Sequence, residues 1–290
     1  MANRWVLAAR PPTLVAGIAP VVVGTASAWR DSVAAIVPFC VIIVCALAIQ
    51  VGVNYANDLA DAHRGADTEA RIGPLRTVSA GLIRPAEMKL GITVVFGVAA
   101  IGGVYLIAYA DWVIAAIGVV SIIAALGYTN GPIPYGYYGL GELFVFVFFG
   151  LVATAGTRYV YDLTVSSEAW AAGVTMGLFA AAILQANNIR DLDTDRDSGK
   201  RTLAVVLGRT RARRLFTVTL FGAYFVIVVA AFVGWLPTMS LMAVVVAPLA
   251  IPLVRTIHTT TDGPELISVL KGTGQLQMMT ALLLALGIAF

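Results

Sequence analysis

Charged residues are scarce in this chain: Asp, Glu, Lys and Arg fill 12% of its 290 positions. A soluble domain carries about twice that fraction, so a soluble globular protein is excluded, and no nucleic acid is expected among its partners. Cysteine is nearly absent. Cys40 and Cys45 both fall in one apolar segment, where a free thiol behaves as a small hydrophobe, and they read as packing residues. The two histidines, His63 and His258, sit in polar loops far apart in sequence, so a His-based metal site is not expected. Short alternating apolar segments, the mark of a membrane β-barrel, are missing too. A cleavable leader is not expected either, because the first apolar run is long and lacks a cleavage pattern.

What is present is long apolar sequence: 59% of residues are hydrophobic and the mean hydropathy is +0.88. One helical span needs about 20 apolar residues. Charge-free runs cover 11–29, 32–57, 90–110, 112–141, 143–157, 169–189, 215–254 and 272–290. The run 215–254 is too long for one span, and Gly234-Trp235-Leu236-Pro237 supplies a turn inside it. The run 112–141 sheds its end at Asn130-Gly131-Pro132, and a new helix starts near Gly141-Glu142. The expected fold is all-α: one integral-membrane domain over 1–290, with nine transmembrane helices in two pseudo-repeated four-helix units plus one. Eight spans is the alternative.

Two acidic clusters stand where apolar runs end. The first holds Asn54, Asn57, Asp58 and Asp61, with Asp67 beyond; the second holds Asn187, Asn188, Asp191, Asp193, Asp195 and Asp197. Ionisable groups at a membrane edge are costly and usually functional. The clusters also repeat: Asn57-x3-Asp61 matches Asn187-x3-Asp191, and each runs into an Arg-Thr pair, Arg76-Thr77 and Arg201-Thr202. Duplicated membrane folds commonly place their site at the repeat interface.

On a helix, i, i+4 and i+7 share a face, which groups Asn54, Asp58 and Asp61, with Asn57 and Asp61 as a neighbouring pair. Asp191 and Asp195 lie one turn apart, and Asp193 and Asp197 fall off that face. Carboxylates this close call for a hard cation. Mg²⁺ takes one or two carboxylates plus waters and phosphate oxygens, whereas the lack of Cys and His disfavours zinc. The expected metal set is Asn57, Asp58, Asp61, Asp67, Asn188, Asp191 and Asp195, with Asp61, Asp191 and Asp195 essential to catalysis. Basic residues crowd the same loops. Arg71, Arg76, Lys200 and Arg201 suit the remaining oxygens of a metal-bridged diphosphate, whereas Arg209, Arg211, Arg213 and Arg214 are expected to face bulk solvent and only bias insertion. Apolar helix walls with Phe144, Phe146, Phe148, Phe149 and Trp170 suit an isoprenoid chain. Tyr128, Asn130 and Glu142, near a helix end on the same side, are the candidates for an aromatic acceptor.

At these residues the chain resembles the UbiA-type intramembrane aromatic prenyltransferases, over nearly its whole length. That family has two Asp-rich motifs, after helices two and six, in a nine-helix fold. The commonest family form has its last Asp four residues after Asp61, where this chain has Gly65. The longer spacing to Asp67 is similar to the branch that makes menaquinone, the 1,4-dihydroxy-2-naphthoate polyprenyltransferases. Gly73-Pro74-Leu75-Arg76-Thr77, Gly139-Leu140-Gly141-Glu142 and Asn187-Asn188-Ile189-Arg190-Asp191 with Gly199-Lys200-Arg201-Thr202 resemble that branch as well. The resemblance implies Mg²⁺-assisted transfer of a polyprenyl group from its diphosphate to 1,4-dihydroxy-2-naphthoate, with loss of carbon dioxide. A sister enzyme with another acceptor (4-hydroxybenzoate, homogentisate, haem or a phosphoribose) is the alternative. From a different class, a cation-coupled transporter would place its acids nearer the midplane.

Lys and Arg set the orientation. With nine spans, 17 of the 19 Lys/Arg fall in segments on one side, 1–10, 58–89, 130–140, 189–214 and 255–271, leaving Arg30 and Arg158 on the other. The expected location is the cell membrane, with the N-terminus and both acidic loops cytoplasmic. Single cysteines placed in 58–89 or 189–214 should therefore react with impermeant thiol reagents only from the cytoplasmic side. Labelling from outside would overturn the orientation.

Overall fold

The computed structural model describes residues 3–63, 75–129 and 134–290. Every regular element among them is helical. A short helix α1 (Arg4–Ala9) leads into α2 (Pro11–Arg30), α3 (Ile36–His63), α4 (Pro85–Tyr109) and α5 (Val113–Gly127). Then come α6 (Gly141–Asp162), α7 (Ser167–Arg190), the short α8 (Leu192–Asp197) and α9 (Leu203–Leu207), α10 (Arg209–Phe232), α11 (Thr238–Thr259) and α12 (Gly263–Ala289). Each of the nine apolar segments read from the sequence holds one of these helices. Among the described residues eight are long and apolar enough to cross a membrane; the other, α5, is apolar but only 15 residues long. The chain is a multi-pass membrane protein.

Local chemistry explains the ends. Pro11 and Pro85 occupy first-turn positions, where the missing N–H costs nothing. Ser166 accepts from the Ala169 N–H to cap α7, and Asp262 does the same for α12 through Glu265. The expected turn after α10 forms, with Gly234 at φ +79°, a conformation open to glycine.

Helix α7 is the hub. Of its most apolar 18-residue window 78% is buried, against 11% for α4. Its Ala- and Gly-rich sequence lets neighbours come close, whereas α4 carries bulky residues such as Val94, Ile101 and Val104 on an exposed face. The larger core joins α2, α7, α10, α11 and α12, and includes Phe179, Phe216, Leu220 and Leu284. A smaller one joins α2 to α6 around Val21, Ile42, Leu106, Ile114 and Val160. Arg158, expected on the side away from the basic loops, is buried and ion-paired with Asp31 and Asp162. It ties the ends of α2 and α6 together opposite the acidic clusters.

Helix α6 departs from regular geometry: Phe146–Val152 winds as a π-helix, flanked by α-helical turns. The widened turn brings Gly150 against α7. A Cβ at Gly150 would stand 2.6 Å from the Gly173 carbonyl oxygen and closer still to the Gly177 Cα. Backbone cannot retreat as a side chain can, so Gly150→Ala should overpack this seam by about 1–3 kcal/mol. A lowered thermal midpoint of the detergent-solubilised protein is the expected result, and an unchanged one would deny the contact.

Candidate functional site

Helix α3 is 28 residues long, about 42 Å, whereas the hydrocarbon layer is about 30 Å thick. Its C-terminal end carries the first acidic cluster, Asn54, Asn57, Asp58 and Asp61. The second cluster ends α7 and continues through α8. The two ends converge on one cavity of about 920 Å³. Its polar mouth is lined by Asn54, Asn57, Asp61, Arg76, Asn187, Asn188, Asp191, Asp195 and Lys200.

Asp61 is the meeting point. It is 1% exposed. One oxygen accepts from the Arg76 guanidinium; the other accepts from the Tyr137 hydroxyl at 3.1 Å and from Lys200 Nζ at 3.4 Å. Lys200 Nζ also lies 4.0 Å from Asp195 Oδ1 and 4.9 Å from the centre of the Tyr137 ring. One ammonium thus stands between a carboxylate of each acidic motif. Asp191 is held by Arg190 through two hydrogen bonds, at 2.7 and 2.6 Å, and the same guanidinium donates to Asn187.

Asp58 is elsewhere. It is fully buried but does not line the cavity. Its Oδ2 accepts from the Thr77 N–H and hydroxyl and its Oδ1 from the Val78 N–H, at 3.0–3.2 Å. The face shared in the cavity is Asn54, Asn57 and Asp61, so the expected grouping through Asp58 does not form. Asp58 instead folds the segment after Arg76 against α3. Arg201 is exposed and outside the cavity; its backbone N–H donates to the Tyr137 carbonyl. Asp67, Arg71 and Asn130 lie outside the described residues.

Of the acceptor candidates, Tyr128 lines the cavity and Glu142 does not. Glu142 is buried behind Asn188 and accepts from its amide at 2.9 Å. Asp193 is exposed and pairs with Arg209, as its off-face position implies. Arg213 does not face bulk solvent: it is partly buried and donates to the carbonyls of His258 and Thr260, fastening α10 to the end of α11. Arg211 and Arg214 are exposed.

Below the mouth the lining is apolar. It follows α3 down to Ile42 and includes Leu106, Ile114, Ile117 and Val160. From Asp61 to Ile42 is about 28 Å at the helical rise, close to the hydrocarbon thickness. Tyr128, Tyr135, Phe144 and Phe148 form a column of rings along one wall; Tyr135 and Phe144 stack at 3.9 Å. Burial pushes the Tyr135 hydroxyl up, so it stays a donor, to the Ala124 carbonyl. Phe149 also lines the cavity, but Phe146 and Trp170 do not. Sequence reading missed Tyr137, because nothing in its spacing links it to Asp61, and missed Arg10 and Lys271, which also reach the lining.

A helical membrane bundle with a charged mouth above a deep apolar tunnel suits a ligand with a charged head group and a hydrophobic tail. The sequence profile of the UbiA prenyltransferase family matches residues 17–289, and the chain belongs to that family. It is 41% identical to the 1,4-dihydroxy-2-naphthoate octaprenyltransferase of Mycobacterium tuberculosis, over 99% of this chain and 97% of that one. The Escherichia coli protein of the same name is 34% identical, over 99% and 95%. A solved UbiA homologue from Archaeoglobus fulgidus, bound to DMAPP and Mg²⁺, shares the fold with a TM-score of 0.71 at 11% identity, over 97% of this chain and 99% of that one.

The Asp58 contacts make a direct prediction. Asp58→Asn puts an amide donor where an acceptor is needed, and a hydrogen bond to a charged group is worth about 1.5–3 kcal/mol. The amides of Thr77 and Val78 should exchange hydrogen faster in that variant. Unchanged exchange would mean that Asp58 does not hold the segment.

Proposed function

We propose that this protein transfers a polyprenyl group from polyprenyl diphosphate to 1,4-dihydroxy-2-naphthoate with release of carbon dioxide, leading after oxidation to demethylmenaquinone. The observation that carries the reading is the convergence of Asp61 and Asp195 on Lys200 at the mouth of a tunnel as deep as the hydrocarbon layer. The choice of acceptor follows the names of the relatives.

The donor set fits Mg²⁺. Its oxygens come from Asp61, Asp191, Asp195, Asn57 and Asn188, all at the cavity. Mg²⁺ keeps waters and phosphate oxygens in its shell, so one or two of these carboxylates suffice. When bound, the ion draws charge from the diphosphate as it leaves. Arg76 and Lys200, already at the mouth, supply donors to the phosphate oxygens. The bond between the prenyl C1 and the diphosphate oxygen breaks, giving an allylic cation. The faces of Tyr135, Phe144 and Phe148 stabilise positive charge, and the apolar tunnel keeps water from it. The ring carbon bearing the acceptor's carboxylate attacks C1; the carbon–carboxylate bond then breaks, and its electron pair restores the aromatic ring. Tyr128, which lines the cavity, contacts the acceptor in this reading. Arg201 is not part of the clamp, since it lies outside the cavity. The acidic loops face the cytoplasm, where both soluble substrate groups arrive.

Purified protein with Mg²⁺ and labelled prenyl diphosphate should prenylate 1,4-dihydroxy-2-naphthoate and leave 4-hydroxybenzoate and homogentisate untouched. Asp61→Asn and Asp195→Asn should each lower turnover by at least about 100-fold, roughly 2.7 kcal/mol in the barrier, while Asp193→Asn stays within about threefold. Near-normal turnover in Asp61→Asn would sink the two-motif site, and use of a different acceptor would redirect the function.

A further inference from the structure

We infer that Glu142 is a positioning residue for the second acidic motif, acting through Asn188; this rests on the proposed divalent-cation site. Glu142 is 7% exposed and Asn188 4%. The Asn188 amide nitrogen donates to Glu142 Oε1 at 2.9 Å, and Glu142 Oε2 is buried with no hydrogen-bond partner among the described residues. The small pocket that Glu142 lines is apolar but for Gln185, with Ile189, Leu203, Leu207 and Leu215 around it. A carboxylate in apolar company is costly, and an orphaned buried oxygen calls for an explanation. The helix dipole favours an acid in the first turn of α6, but it does not require that acid to be buried or to meet Asn188.

The explanation lies in what the contact does to the amide. The amide nitrogen of Asn188 is the branch that donates to Glu142 Oε1, so the nitrogen faces Glu142. Asn188 lines the cavity and Glu142 does not. The branch left for the cavity is therefore the carbonyl oxygen, the kind of ligand a hard cation takes. A flipped amide would aim two N–H donors at the cation instead. The separation of the partners is fixed as well. Glu142 begins α6 and Asn188 lies near the end of α7, and these helices are seated on each other through Gly150, Gly173 and Gly177. Glu142 thus selects, of the two faces of one amide, the one that binds metal.

The test is Mn²⁺ binding, read by electron paramagnetic resonance on the purified full-length protein with inorganic pyrophosphate present. Loss of such a supporting contact typically costs 10–100-fold in metal affinity. Glu142→Ala and Asn188→Ala should each weaken Mn²⁺ binding by about that factor, and the double variant should be no weaker than Asn188→Ala alone. Glu142→Gln, which keeps an accepting oxygen and nearly the same shape, should stay within about threefold of wild type. Effects of Glu142→Ala and Asn188→Ala that multiply, or a Glu142→Ala protein that binds Mn²⁺ normally, would overturn the inference. Asp61→Asn and Asp195→Asn serve as the reference. If they lose Mn²⁺ while Glu142→Ala does not, only the role of Glu142 fails; if they bind it normally, the cation site itself fails.

Discussion

Everything at the mouth depends on the burial of Asp61. A carboxylate taken out of water must be compensated, and at Asp61 the partners come from three separate stretches of chain: Arg76 beyond α3, Tyr137 before α6, and Lys200 after α8. One desolvated charge therefore draws the segments of both halves to one point. Lys200 then carries the link onward to Asp195. The interaction is costly in isolation, which fits an arrangement kept for what it gathers rather than for stability.

The apolar part of the molecule is arranged to serve that point. Helix α7 is short of bulky side chains, so α2, α6, α10 and α12 can all approach it, and the π-helical stretch of α6 meets it at Gly150. Close backbone packing there holds Glu142 and Asn188 in register. On the other side, α4 and α5 have few buried residues, and the tunnel runs among α2 to α7. Arg158, bound to Asp31 and Asp162, ties α2 to α6.

Much of this was legible in the sequence because hydrophobicity and charge act locally. A run of apolar residues must be helical in lipid whatever its neighbours do, so the nine segments could be read one by one. Asn57, Asp61, Asn188, Asp191 and Asp195 were legible because carboxylates and amides are rare where apolar runs end. Asp58 was misread for a physical reason: helical periodicity puts it within reach of the Asp61 face, but the N–H groups of Thr77 and Val78 and the Thr77 hydroxyl offered it three hydrogen bonds on another side. Arg201 and Lys200 are neighbours with the same charge, and only the path of the chain past Tyr137 sends one into the cavity and the other to solvent.

By itself the sequence determined that this is a helical membrane protein, where its helices run, and which polar residues lie at their ends. Those follow from transfer free energies that belong to each segment alone. Tertiary structure decided which of the polar residues meet. It put Asp61 beside Lys200, set Glu142 behind Asn188 instead of in the acceptor space, and turned Arg213 from a loop charge into a clamp on α11. These are pairings between residues 45 to 139 positions apart along the chain. Such contacts are fixed by how whole helices pack and by the need to compensate each buried charge, neither of which a local pattern encodes.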